Sequence, residues 1–157
     1  VKWINDLFYN NRKISGILSE LTTNLESFEI NHVIIGIGIN LAGIFSNQDG
    51  IKNVAGTIFG ERLPKKFDYN QLMITFLNHF HKYHLKIDKS TFVPVYQEHL
   101  LGLNQIASYT KGEETHEVKI LGINPDGHLI VEDSTGETSE LTGPDVSFSS
   151  QQFIDKD

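Results

Sequence analysis

Residues 32–43, HVIIGIGINLAG, constrain the fold of this chain more than any other stretch. The run is apolar on consecutive positions, and a strand with that pattern is buried on both faces. A central strand is therefore expected here. Gly36 and Gly38 fall on one face at period two, which leaves that face without side chains. A bare strip of this kind lets something lie against the backbone. A closely packed neighbouring element would satisfy it, and so would a ligand. Asn40, at the end of the run, favours the ligand, because a buried amide must find partners and strand ends at a sheet rim often contact ligands. The run is not a dinucleotide fingerprint. The third glycine of G-x-G-x-x-G would fall at Leu41, and no helix is signalled there.

Upstream, KWINDLFYNNRKISGIL reads as a hairpin. Residues 3–9 form the first strand, Asn10 and Asn11 a tight turn that tolerates positive φ, and residues 13–21 the return strand. Lys2, Asn5, Asp6, Arg12 and Lys13 are each most simply read as solvated charges and amides. Together with Gly16 they describe a cationic head beside a slot, suited to a phosphate or an activated carboxylate.

Downstream, Asp68 is placed to cap a helix, with Gln71 as its capping-box partner. Leu72, Phe76, His79 or Phe80, and Tyr83 then fall on one face. A shorter helix is expected from about Ser90 to Leu101, with Pro94 in its first turns. From about Gln105 the pattern changes to short strands, QIASYT, EVKILGI, HLIVED, TSELT and VSF, separated by KGEE, NPDG and STGE. That pattern describes a small β-barrel of SH3-like type, so a domain boundary is expected between residues 103 and 104.

Composition narrows the classes. The chain has 157 residues, enough for one domain or a modest domain plus a small one. Its net charge of −7 disfavours broad binding to nucleic acid or an anionic membrane. No cysteine is present, which removes disulfides, thiolate metal sites and a cysteine nucleophile and fits an intracellular protein. No apolar run approaches the roughly 20 residues that cross a bilayer. His79, His81 and His84 share a helix but not a ligand geometry, since 79 and 81 lie on opposite sides and no carboxylate joins them. The opening at Val1, already inside patterned sequence, reads as the start of a piece whose front half lies elsewhere.

Three features then converge. KWINDLFYNNRKISGIL resembles the K-W-P-N-D … K-x-x-G-I-L block of biotin protein ligases, with Ile4 at the family's proline. VIIGIGINL resembles that family's G-x-G-I-N strand, and ILGINPDGHLIVEDSTGE with LTGPDVS resembles its small C-terminal SH3-like domain. The resemblance implies an α+β fold: a mixed sheet with flanking helices, the later part of the catalytic domain, over residues 1–103, and an SH3-like barrel over 104–157. It implies a cytoplasmic ligase that activates biotin with ATP and Mg²⁺ to biotinyl-adenylate. The biotin is then passed to a lysine of a carrier domain of a biotin-dependent carboxylase. On this resemblance Lys13 is the catalytic lysine; Gly16, Leu18, Gly36 and Gly38 form the biotin slot; Asn5, Ile39 and Asn40 approach the nucleotide; and Asp6 helps hold Mg²⁺. The family's upstream Gly/Arg-rich loop is absent from these residues, so the chain alone is expected to be inactive. No nucleic acid or membrane partner is expected, and a weak homodimer at most. A non-catalytic binding module derived from a ligase and a lipoate-type ligase remain the competing readings.

Overall fold

A computed structural model describes residues 1–24, 30–45, 54–86, 89–143 and 146–154. The chain divides into two compact units, Val1–Arg62 with Ile154–Asp157, and Leu63–Phe153. The expected boundary at 103/104 lies within the second, just ahead of its sheet.

The first unit is built on a three-stranded sheet of β1 (Asp6–Tyr9), β2 (Arg12–Thr23) and β3 (Ile30–Ile39), in that order. Both pairings are antiparallel. The turn between β1 and β2 is the expected one, with Asn10 at φ 47° and Asn11 at φ 56°. The first strand is shorter than the sequence suggests because the chain loops at residues 3–5. That loop is closed by reciprocal backbone hydrogen bonds, Lys2 N–H to Asp6 C=O at 2.9 Å and Asp6 N–H to Lys2 C=O at 3.2 Å. Its Trp3–Ile4 peptide is cis, and Trp3 is buried.

β3 departs from the expectation most. Among the described residues it lies at the edge of its sheet rather than the centre, and every residue of it is exposed. Ile34 is 56% and Ile35 44% exposed, and these two face opposite sides of the sheet. Consecutive apolarity asks for cover on both faces, but the strand's own residues cannot supply it. Cover must come from other elements, and none of the described residues provides it.

The second unit combines two helices with a five-stranded antiparallel sheet. Helix α1 (Tyr69–His84) is capped by Asp68, whose carboxylate accepts the N–H groups of Asn70 and Gln71. The reciprocal half of the expected capping box is not formed, because the Gln71 amide donates forward to Thr75 Oγ1 at 3.2 Å. Helix α2 (Lys89–Glu98) ends short of Leu101 and contains Pro94. Strands β4 (Ile106–Lys111), β5 (Glu114–Ile123), β6 (Leu129–Glu132), β7 (Thr138–Leu141) and β8 (Val146–Phe148) follow. Among the described residues they pair in the order β7-β6-β5-β4-β8, with β7 and β8 at the two ends. Leu129 and Val131 are fully buried, and Ala107, Val118, Ile120, Ile123, Leu141 and Phe148 complete the core on the inward positions of alternating strands. The NPDG turn is held by Asn124, whose side-chain oxygen accepts the N–H groups of Asp126 at 2.9 Å and His128 at 3.0 Å. The α+β class is as expected. Among the described residues strand pairing within each sheet is antiparallel, and parallel pairing occurs in isolated bridges such as Lys13 with Ala55.

Candidate functional site

Asp6, Lys13 and Gly16 of the hairpin and the glycines of β3 meet on one face of the first sheet. Register places them there. Asp6 on β1 pairs with Gly16 on β2, and Gly16 pairs with Gly38 on β3, so Asp6, Gly16 and Gly38 form one row across the three strands. One step along, Leu18 pairs with Gly36. A Cβ built on Gly38 would find nothing closer than Gly16 O at 4.0 Å, and one on Gly36 only Leu18 O at 3.8 Å. The strip is open, with backbone as its floor and the exposed Leu18 side chain at its side.

Lys13 reaches this row through a β-bulge. Leu7 pairs with Ser15 and Phe8 with Lys13, so Ile14 is the extra residue. Simple alternation would put Lys13 and Gly16 on opposite faces. The bulge shifts the phase, and Lys13 Nζ sits 2.6 Å from Asp6 Oδ1. A Cβ on Gly16 would lie 3.5 Å from each of those two atoms. Glycine at 16 therefore leaves open space beside the ion pair, which an alanine methyl would fill at ordinary van der Waals distance. The bulge is braced from outside the sheet by residues 54–56. Lys13 N–H donates to Val54 C=O at 2.9 Å, and Gly56 N–H to Lys13 C=O at 2.8 Å. Gly56 was not singled out from the sequence, yet a Cβ there would sit 2.3 Å from Arg12 Cβ, so only glycine permits this approach. Nothing in VAGTIFG read alone marks it.

Asp6 carries a second cation. Lys2 Nζ lies 3.6 Å from its other oxygen, Oδ2. The Lys2 and Asp6 side chains are only 13% and 12% exposed, against 37% for Lys13. Burial lowers the pKa of Lys2 from its ordinary 10.5, with Asp6 opposing that shift and Lys13 adding to it. The arrangement is a buried carboxylate between a buried ammonium and one that faces outward.

The remaining expected residues sit around this centre. Asn5 lies on the closing loop: its side-chain amide donates to Ile17 C=O, and its backbone carbonyl accepts Ile17 N–H at 3.0 Å. Asn40 N–H extends the β2–β3 ladder to Ile14 C=O at 2.7 Å, and its amide points to Lys13 C=O at 3.5 Å. Ile39 pairs with Ser15 and so has its side chain on the face away from the glycine strip, bordering the strip only through its backbone. Among the described residues no group of three His, Cys, Asp or Glu side chains is placed to hold a metal. His79 bonds back to Thr75 C=O at 2.8 Å and His84 stacks on Phe80. Among the described residues no helix is long and apolar enough to cross a membrane.

An open backbone strip beside an outward-facing ammonium can take a flat, apolar group carrying an anionic end. Comparison with known proteins agrees with that geometry. Residues 1–40 match the Biotin/lipoate A/B protein ligase family. The chain is 30% identical over 145 residues to the bifunctional ligase/repressor BirA of Bacillus subtilis, and 27% identical over 143 residues to that of Bacillus spizizenii. Each match covers 87% of this chain but 42% of the relative, so the chain spans less than half the length of these curated relatives. Among solved structures, an Aquifex aeolicus biotin protein ligase mutant bound to biotin superposes with a TM-score of 0.75 at 24% identity, over 95% of this chain and 60% of that one. The Aquifex aeolicus enzyme with biotin and ATP gives 0.70 at 24% identity, over 95% and 61%. Residues 1–40 thus match the biotin/lipoate A/B protein ligase family, and the chain has the fold of a biotin protein ligase.

Proposed function

We propose that the protein carrying this chain activates biotin with ATP and transfers it to a lysine of a biotin carboxyl carrier domain. The observation that supports this most is the Lys13 ammonium held at 2.6 Å from Asp6 beside the bare Gly16–Gly38 strip. In the first step a biotin carboxylate oxygen attacks the α-phosphorus of ATP, and pyrophosphate leaves. In the second, the carrier amine attacks the acyl carbon of biotinyl-adenylate, losing its proton, and AMP leaves. Two anions must meet in the first step, so a cation placed where the charge builds up is the main requirement. Lys13 supplies it. Gly16, Gly36 and Gly38 with Leu18 receive the biotin ring system against the backbone, and Asn5, Asn40 and the Ile39 backbone border the nucleotide.

Magnesium enters as the companion of ATP, where it would offset phosphate charge. Asp6 is the carboxylate offered for it. Its two oxygens each face an ammonium, and no further ligand group stands beside it among the described residues. The residues present do not fit a resident ion. On this reading the protein is cytoplasmic, the SH3-like part begins near residue 104, and self-association is a weak homodimer at most.

The test is transfer of labelled biotin from ATP-dependent activation onto an isolated carrier domain by the whole protein, with lipoate in parallel. Biotin transfer is expected, with adenylate formation falling on the order of 10²-fold or more in Lys13→Ala. Unchanged adenylate formation in that variant would refute the role given to Lys13. Transfer of lipoate alone would make it a lipoate-type ligase, a reading the family match allows. Binding of adenylate with transfer of neither would make it a non-catalytic module.

A further inference from the structure

Lys2 has no role in the reading above, yet it is the most deeply placed cation of the site. We propose that Lys2 is a positioning residue that keeps the Lys13–Asp6 pair net cationic and frees Lys13 to engage an anion. The inference rests on the proposed function only in assuming that Lys13 meets an anionic ligand.

Lys13 and Asp6 alone sum to zero and would exert little pull on a phosphate or carboxylate. With Lys2 the trio carries a formal charge of +1. Its ammonium is 3.6 Å from Asp6 Oδ2, on the opposite oxygen from Lys13. When Lys13 turns part of its hydrogen bonding to a ligand, Asp6 keeps a partner and is not left as a lone buried charge, the costly outcome for such a group. The backbone fixes Lys2 for this task through the paired hydrogen bonds between residues 2 and 6. Lys13 is the more exposed of the two, so the ligand meets Lys13 and Lys2 acts through Asp6.

Titration calorimetry of wild type, Lys2→Met and Lys2→Arg tests this with three probes: biotinyl-adenylate, inorganic pyrophosphate and uncharged biotinamide. Folding of each variant is checked by Trp3 fluorescence in urea. Lys2→Met is expected to weaken both anions on the order of tenfold, with a smaller salt dependence, while biotinamide is unchanged. Lys2→Arg stays within about threefold of wild type, because the charge is retained. Equal loss for all three probes would mean a merely structural role, and wild-type affinity for both anions would mean no role; either overturns the inference. If wild type binds pyrophosphate but neither biotin compound, the proposed function fails, while the pyrophosphate comparison still decides the role of Lys2. If wild type binds none of the three, both fail.

Discussion

Replacing Asp6 by asparagine tests the charge arrangement at the heart of the site, because it removes one charge and almost no volume. Lys2, 13% exposed and 3.6 Å from Asp6 Oδ2, would lose its counter-charge while facing a second ammonium. At an effective dielectric near 20, an ammonium and a carboxylate at 3.6 Å attract by about 5 kcal/mol before desolvation is counted. Removing one partner of a buried pair typically costs about 3–5 kcal/mol. Lys13 is more than a third exposed and contributes less. A loss of about 3 kcal/mol is expected, a large share of the ~5–15 kcal/mol that holds a domain together. Removing either lysine alone should cost only about 1 kcal/mol, since Asp6 keeps the other. The chain's single tryptophan, Trp3, lies buried in the loop that the residue 2–6 pairing closes. Urea unfolding followed by Trp3 fluorescence therefore reads this unit directly. The pH dependence has a fixed sign. Lys2 penalises folding only while charged, so the Asp6→Asn defect should shrink as pH rises through the lowered Lys2 pKa toward 10.5. A loss under about 0.5 kcal/mol, or a single-lysine variant as unstable as Asp6→Asn, would refute the reasoning.

Gly102→Ala should destabilise the second unit by about 2–3 kcal/mol in a thermal melt, because φ there is +76° and the new Cβ would lie 2.7 Å from Phe153 Cε1. A melt within a degree of wild type would contradict that. Ser15→Ala should stabilise by about 1 kcal/mol, since the buried Ser15 hydroxyl has no hydrogen-bond partner among the described residues. A loss in stability would show that the hydroxyl is in fact satisfied. The Asp133 carboxyl is held below the usual range by hydrogen bonds, first from the Thr135 hydroxyl and then from backbone N–H groups. Its contribution is present at neutral pH and fades as pH falls through the lowered value. In Thr135→Ala, NMR titration should show the Asp133 pKa move up toward 3.8, and an unmoved titration would contradict the assignment.

The sequence was legible where local rules act alone. Alternation marked all five strands of the second sheet, Asn10-Asn11 marked the β1–β2 turn, and Asp68 marked the start of α1. Period two also placed Gly36 and Gly38 correctly on one face, and their pairing opposite Leu18 and Gly16 made that face a strip. What it could not show depends on partners distant in sequence. The bulge at Ile14 turns Lys13 onto the Asp6 face, and alternation alone gives the wrong side. Gly56 matters only because residues 54–56 lie against Arg12 and Lys13. Lys2 reads as a solvated charge until the loop behind Trp3 brings it under Asp6. The same limit misplaced β3: its apolarity states that cover is needed but not where the strand lies in the sheet.

The central claim is that the Gly16–Gly38 strip beside Lys13 receives biotinyl-adenylate. Gly38→Val isolates it, because the position lies in open space and extended backbone accepts valine, so the fold is kept while the strip is filled. Titration of biotinyl-adenylate into the protein is predicted to show saturable binding in wild type and a loss of at least about 100-fold in Gly38→Val, with the Trp3 unfolding curve unchanged. Equal affinity in the two proteins would contradict the account.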